Sequence, residues 1–119
     1  MKRSIYNLTN SPILIKTEDN VAIIHPEPES VKMVTDLGET YEWEVEEHGC
    51  IDIADGVNIR HIFGLPEEEE GIYYIVPTFL GNMLKGKRGD LLIPATATKD
   101  GCVRDSNGNV KYITKLIWI

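Results

Sequence analysis

Apolar positions along this chain recur mostly with a period of two, or in short unbroken runs bounded by turn residues, and both patterns mark strands. Ile13-Leu14-Ile15-Lys16 and Val21-Ala22-Ile23-Ile24 flank Thr17-Glu18-Asp19-Asn20, so a hairpin is expected there. His25-Pro26-Glu27-Pro28-Glu29-Ser30 then interrupts the sheet, because each proline removes a ladder donor. Tyr41-Glu42-Trp43-Glu44-Val45-Glu46 alternates cleanly between an aromatic face and a carboxylate face, which predicts a half-buried antiparallel strand. Val57 to Phe63 predicts another, closed by Gly64-Leu65-Pro66 and four glutamates. Ile72-Tyr73-Tyr74-Ile75-Val76 is continuously apolar and reads as a central strand. The period changes only over about residues 77–85. There Phe79, Leu80, Met83 and Leu84 form one stripe of a short helix, with Pro77 or Thr78 in its first turn and Gly86 past its end. Leu91-Leu92-Ile93 is a short strand, and Ser106-Asn107-Gly108 between strand patterns is a hairpin signal. A last strand runs from Val110 to the apolar end Leu116-Ile117-Trp118-Ile119. The whole predicts an α+β fold, mostly antiparallel sheet and barrel-like, with hairpins and one short helix in a single domain, 1–119.

Length and composition fit that reading. The chain has 119 residues, 42% hydrophobic and 26% charged, enough for one buried core and too apolar for disorder. No apolar run approaches a membrane span, and the basic start Met1-Lys2-Arg3 leads into polar residues without a signal-peptide core. The two cysteines, Cys50 and Cys102, form no paired motif, so a reducing, cytoplasmic setting is expected. Charge changes the picture more. Residues 17–70 carry sixteen acids against Lys32 and Arg60, a net −14, whereas residues 71–119 are net +4 and residues 1–16 net +3. An acidic and a cationic surface follow. The total of −7 disfavours duplex nucleic acid, whose phosphates need a basic surplus. A small anion, which needs only two or three cations, remains compatible.

No catalytic constellation emerges. Gly81-Asn82-Met83-Leu84-Lys85-Gly86-Lys87-Arg88 nearly spells a phosphate-binding loop, but arginine stands where the magnesium-binding hydroxyl belongs. His48, Cys50 and His61 match no structural zinc spacing, so neither a metal nor a cofactor is expected. The stretch from Tyr73 to Arg104 is richer. Tyr74 or Phe79 could stack a base, Arg88 and Arg104 could fork onto phosphates, and Asp90 and Thr78 could fix sugar or base edges. The plain alternative makes the aromatics core and leaves Arg88–Asp90 and Arg104–Asp105 as local ion pairs.

Asn7-Leu8-Thr9 with Pro12-Ile13, Gly64-Leu65-Pro66 with Gly71, Tyr74-Ile75-Val76, Arg88 with Asp90-Leu91 and Pro94, and Val103-Arg104-Asp105 with Gly108 resemble the pattern of small single-domain phage and bacterial proteins. Proteins of that size include phage anti-defence sponges, which sequester nucleotide immune signals. By analogy the resemblance implies a non-enzymatic binder, in the cytoplasm of a host bacterium, of an ADP-ribose derivative such as a cyclic ADP-ribose of Thoeris defence, or of a cyclic dinucleotide. Its ligand-binding residues would be Tyr74, Thr78, Phe79, Arg88, Asp90 and Arg104. A different class of function is an acidic interaction inhibitor whose Glu42, Glu44 and Glu46 mimic a phosphate backbone toward a host protein. A third, a nucleotide-cleaving enzyme, would use His48 or His61 as general base. The two-faced apolar tail also predicts a homo-oligomer, a dimer by preference, with the C-terminal strand at or near the interface. In the competing arrangement the tail is a central strand of a monomer, tucked against the Phe79–Leu84 helix.

Overall fold

The computed structural model describes residues 2–119, which divide into two compact units: the segment ending at Val31 together with Gly64–Ile119, and Lys32–Phe63. The fold is α+β, and the described residues form twelve strands, one short α-helix and a single 3₁₀ turn at Thr98–Asp100.

The first unit is organised around β8 (Ile72–Ile75), whose Tyr74 and Ile75 are buried and whose Ile72 and Tyr73 are half-buried. It pairs in parallel with β1 (Ser4–Asn7) on one side and with β9 (Leu91–Pro94) on the other. β12 (Leu116–Trp118) adds antiparallel to β9, which completes the order β1-β8-β9-β12. The sheet does not close into a barrel, and its centre is parallel rather than antiparallel. Parallel neighbours need a crossover, and α1 (Thr78–Met83) provides it between β8 and β9. Its Leu80 is fully buried, and Gly81 allows close packing: a Cβ there would collide with Ile93 and lie 2.9 Å from Ile119. The expected hairpins form. β2 (Ile13–Lys16) pairs with β3 (Val21–Ile24) around a turn closed by Thr17 N–H donating to Asn20 O at 2.8 Å. β10 (Val103–Arg104) pairs with β11 (Val110–Tyr112), with Asp105 Oδ1 accepting from the backbone of Asn107 and Asn109.

The expected strand from Val110 to the C-terminus is in fact two. At Ile113 the chain turns to β2, with Ile113 N–H donating to Leu14 O and Lys16 N–H to Ile113 O, and it re-enters the main sheet only at Leu116. Buried Ile13, Ile75, Leu92, Cys102 and Ile113 form the core that this detour completes. β12 is an edge strand, not a central one, and it leaves Ile117 and Trp118 exposed.

Asn7 explains the Asn-Leu-Thr start. Fully buried, it donates to Ser11 O and Ile24 O and accepts from the backbone N–H of Thr9, so it locks the end of β1 to the β2–β3 hairpin. Buried polar groups persist only when satisfied in this way.

The second unit is a two-stranded ribbon. β4 (Lys32–Leu37) pairs antiparallel with β7 (Val57–Phe63), with a bulge at Val34/Thr35. β5 (Thr40–Val45) pairs with β6 (Gly49–Ala54). The ladders join where Gly38 N–H donates to Gly56 O, and a side chain at Gly38 would run into the Asp55 carbonyl. Among the described residues every buried one lies in the first unit. The alternation over Tyr41–Val45 thus produces the expected strand but not its half-burial: Trp43 is 56% exposed and Tyr41 47%.

Candidate functional site

The sequence-predicted site separates into three places. Tyr74 and Asp90 lie on adjoining backbone, with Tyr74 N–H donating to Asp90 O at 2.9 Å. Asp90 is buried, and its carboxylate accepts from both Nε and Nη2 of Arg88, at 2.9 and 2.6 Å. Arg88 also donates to Pro66 O at 2.7 Å and lies 3.9 Å from Glu68. Its guanidinium is held above its ordinary pKa by the hydrogen bonds to Asp90, against the opposing effect of burial. Here the local ion pair, the plain alternative, is what the chain builds. Thr78 and Phe79 are exposed on α1. Arg104 sits on the β10–β11 hairpin and donates to Gly108 O and Thr96 O, while Asp105 caps its own turn instead of pairing with it.

A cleft of about 490 Å³ opens beside Tyr74 and is walled by Tyr6, Leu8, Pro66 and Ile72, with Glu27, Glu29 and Glu69 at its margins. The rings of Tyr6 and Tyr74 lie 6.1 Å apart and tilted by 31°. Tyr6, Glu27 and Glu29 are functional candidates that sequence reasoning missed. The Pro26–Ser30 segment reads as a sheet breaker, yet Glu27 N–H donates to Asn7 O and Val31 N–H to Leu8 O, which lays that loop along the end of β1. Only this long-range pairing reveals it. The cleft is aromatic and acidic, so its field disfavours a bound anion.

No protein-family model, curated protein or solved structure matches the chain. Function therefore rests on the residues themselves.

A second electrostatic feature lies on the ribbon. Glu42 faces Asp52, and Glu44 faces Cys50, across β5–β6, on the side opposite Tyr41, Trp43, Ile51 and Ile53. Glu46 falls beyond β5, in the turn through Glu47, so it does not extend the carboxylate row of the strand; Asp52 adds a carboxylate from β6, opposite Glu42. Among the described residues no three His, Cys, Asp or Glu side chains are grouped to hold a metal ion.

Tyr74 supplies a pH-dependent test of the cleft. Its hydroxyl is pushed above the ordinary 10.0 by burial first, then by Glu69 and Asp90. A raised value means that the folded state favours the protonated phenol. That stabilisation is complete below about pH 10 and is lost as the pH climbs through the folded value. Tyr41 is also raised, by the hydrogen bond it donates to Glu39, so ultraviolet titration should show two late tyrosines. Tyr74→Phe is expected to remove one of them and to flatten the loss of stability above about pH 10. An unchanged titration curve would contradict the assignment.

Proposed function

We propose that the chain is a non-enzymatic interaction protein that presents a carboxylate face to a basic protein surface and acts as a homo-oligomer. The observation that carries this is the exposed pair Glu42 and Glu44 of β5, with Asp52 of β6 opposite Glu42, on one face of a ribbon that is net −6 over residues 32–63. Alternate residues on one strand stand about 6.5–7 Å apart, near the phosphate repeat of a nucleic-acid strand. A surface built to bind phosphates can therefore accept such a row. An arginine-rich decapeptide is a suitable probe. Binding is expected to weaken steeply with salt, and to fall at least about tenfold in the Glu42→Lys, Glu44→Lys, Asp52→Lys variant. Equal binding by that variant would overturn the reading.

A second reading is favoured by one observation, the cleft beside Tyr74, whose volume suits a small ring-bearing ligand. It is the phage-type sponge, which would hold an ADP-ribose derivative or a cyclic dinucleotide in the host cytoplasm. Phosphate binding would then require Arg88 to release Asp90 and Arg104 to release two carbonyls, and the cleft itself is lined by Glu27, Glu29 and Glu69. The interaction reading needs no such rearrangement. Calorimetric titration with ADP-ribose, its cyclic isomers and cyclic dinucleotides decides the matter. A sponge returns intact ligand on denaturation, and heat with none of them removes this reading.

A further inference from the structure

The cleft beside Tyr74 is built entirely within the first unit. In the parallel pair β1–β8, Tyr6 stands opposite Tyr74, and residues two apart along a strand share a face. Tyr6, Ile72 and Tyr74 therefore lay down an apolar floor, which Leu8 continues past the end of β1. The rest of the lining is anchored to that floor. Glu27 N–H donates to Asn7 O and Val31 N–H to Leu8 O, both at 2.9 Å, which fixes the loop carrying Glu27 and Glu29. Arg88 Nη2 donates to Pro66 O at 2.7 Å, and Ile72 N–H to Glu69 O at 3.1 Å, which fixes the segment carrying Glu69.

The charged groups that line the cleft, Glu27, Glu29 and Glu69, are all carboxylates. Among the described residues none of the three makes an ion pair. Tyr74 adds an independent sign of a missing partner. It is only 7% exposed, yet its hydroxyl makes no hydrogen bond among the described residues. No described side-chain oxygen or nitrogen that is shut off from solvent lacks a partner, so this hydroxyl opens on the cleft that Tyr74 lines. Burial first, and then Glu69, hold its pKa up, which sets the hydroxyl in the field of a cleft carboxylate. Carboxylates at neutral pH accept hydrogen bonds and offer none, and the phenol oxygen has lone pairs to give. The complementary group is a positively charged N–H donor. Tyrosine rings attract such a cation over their faces and also cover an apolar body. A metal ion fits less well, because it needs several oxygens converging at about 2.0–2.6 Å. No such grouping exists among the described residues.

We infer that the Tyr6–Tyr74 cleft binds a small aliphatic polyamine, an apolar chain bearing two or more ammonium groups. Its methylenes lie on the two tyrosine rings, and its ammonium groups donate to Glu69, to Glu27 or Glu29, and to the Tyr74 hydroxyl. The site goes beyond the carboxylate-face reading and uses no residue of the ribbon, so either can fail alone. It claims the same space as a nucleotide would, with the opposite sign of ligand charge.

Calorimetric titration of the full chain with spermidine, in about 0.15 M salt to suppress loose ion pairing, tests this. One equivalent per chain is expected. Choline, a cation without an N–H, and magnesium should each bind at least about tenfold more weakly. Glu27→Gln with Glu69→Gln should weaken spermidine at least about tenfold, and Tyr6→Leu at least about threefold. Tyr6 is 40% exposed on an edge strand, so leucine is expected to leave the fold intact. The Glu42→Lys, Glu44→Lys, Asp52→Lys variant should keep the equivalent unchanged. A readout that needs no variant is nuclear magnetic resonance of ring-labelled tyrosine, in which Tyr6 and Tyr74 should shift on adding spermidine while Tyr41 and Tyr112 stay in place. No heat with spermidine overturns the inference, as does choline or magnesium binding as tightly. So does undiminished binding by the Glu27→Gln, Glu69→Gln variant, or loss of the equivalent in the ribbon variant. A chain that binds the arginine-rich decapeptide but not spermidine would sink the cleft site alone, and the reverse result would sink only the carboxylate face.

Discussion

Asp90→Ala is expected to cost about 3–5 kcal/mol, the largest loss of any single exposed or buried charge in the chain. The carboxylate is nearly inaccessible, and it takes two hydrogen bonds from a guanidinium whose own side chain is only 17% exposed. Coulomb attraction inside such a pair offsets the loss of hydration of both groups, so removing one partner leaves the other's desolvation uncompensated. Arg88 would keep Pro66 O at 2.7 Å and a distant Glu68, which cannot replace a bidentate carboxylate. Arg88→Met should also destabilise, whereas Arg88→Met with Asp90→Leu should recover most of the loss, since an apolar pair needs no hydration. The pH dependence follows from the raised Arg88 value. Its stabilisation is fully present below arginine's ordinary value and fades only as the pH climbs through the higher folded one. Urea unfolding should therefore give the same penalty for Asp90→Ala from about pH 6 to pH 9. A penalty under about 1 kcal/mol would mean that the clamp carries no stability.

The clamp also shows how much of this molecule could be read along the chain. Arg88 and Asp90 stand two residues apart, so their pairing is local and legible. The strands of Ile13–Lys16, Ile72–Ile75 and Leu91–Pro94, the Asn107-Gly108 hairpin and the helix over Thr78–Met83 are legible for the same reason: periodicity and turn chemistry act over a few residues. Sheet order is not local. The parallel pairing of β1 with β8 joins residues nearly seventy positions apart, and nothing in Ser4–Asn7 announces it. The switch of sheets at Ile113 escapes a pattern that looks continuous from Val110, because the alternation says that a strand is half-covered but not by what. The same gap separates expectation from outcome on β5. Its alternation specifies two unlike faces correctly, and in the folded chain the apolar one is left in water.

Excising the ribbon turns that last point into an experiment. Replacing residues 32–63 with a short turn between Val31 and Gly64 is expected to leave the first unit folded. The two ends already meet: a Cβ on Gly64 would lie 3.2 Å from Ser30 O and 3.6 Å from Val31 Cα, so a tight connection fits without moving either. The residues that carry the core, Ile13, Ile75, Leu92, Cys102 and Ile113, all lie outside the excised segment. Folding free energy scales with buried apolar area, and the ribbon contributes no buried side chain to that sum. The excised protein should retain its far-ultraviolet signature and unfold cooperatively. It should also lose the arginine-rich decapeptide, since Glu42, Glu44 and Asp52 leave with the arm. Nucleotide binding at the Tyr74 cleft, if present in the full chain, should survive, because Tyr6, Glu27, Glu29, Glu69 and Tyr74 all remain. An unfolded product would show that the ribbon stabilises the body.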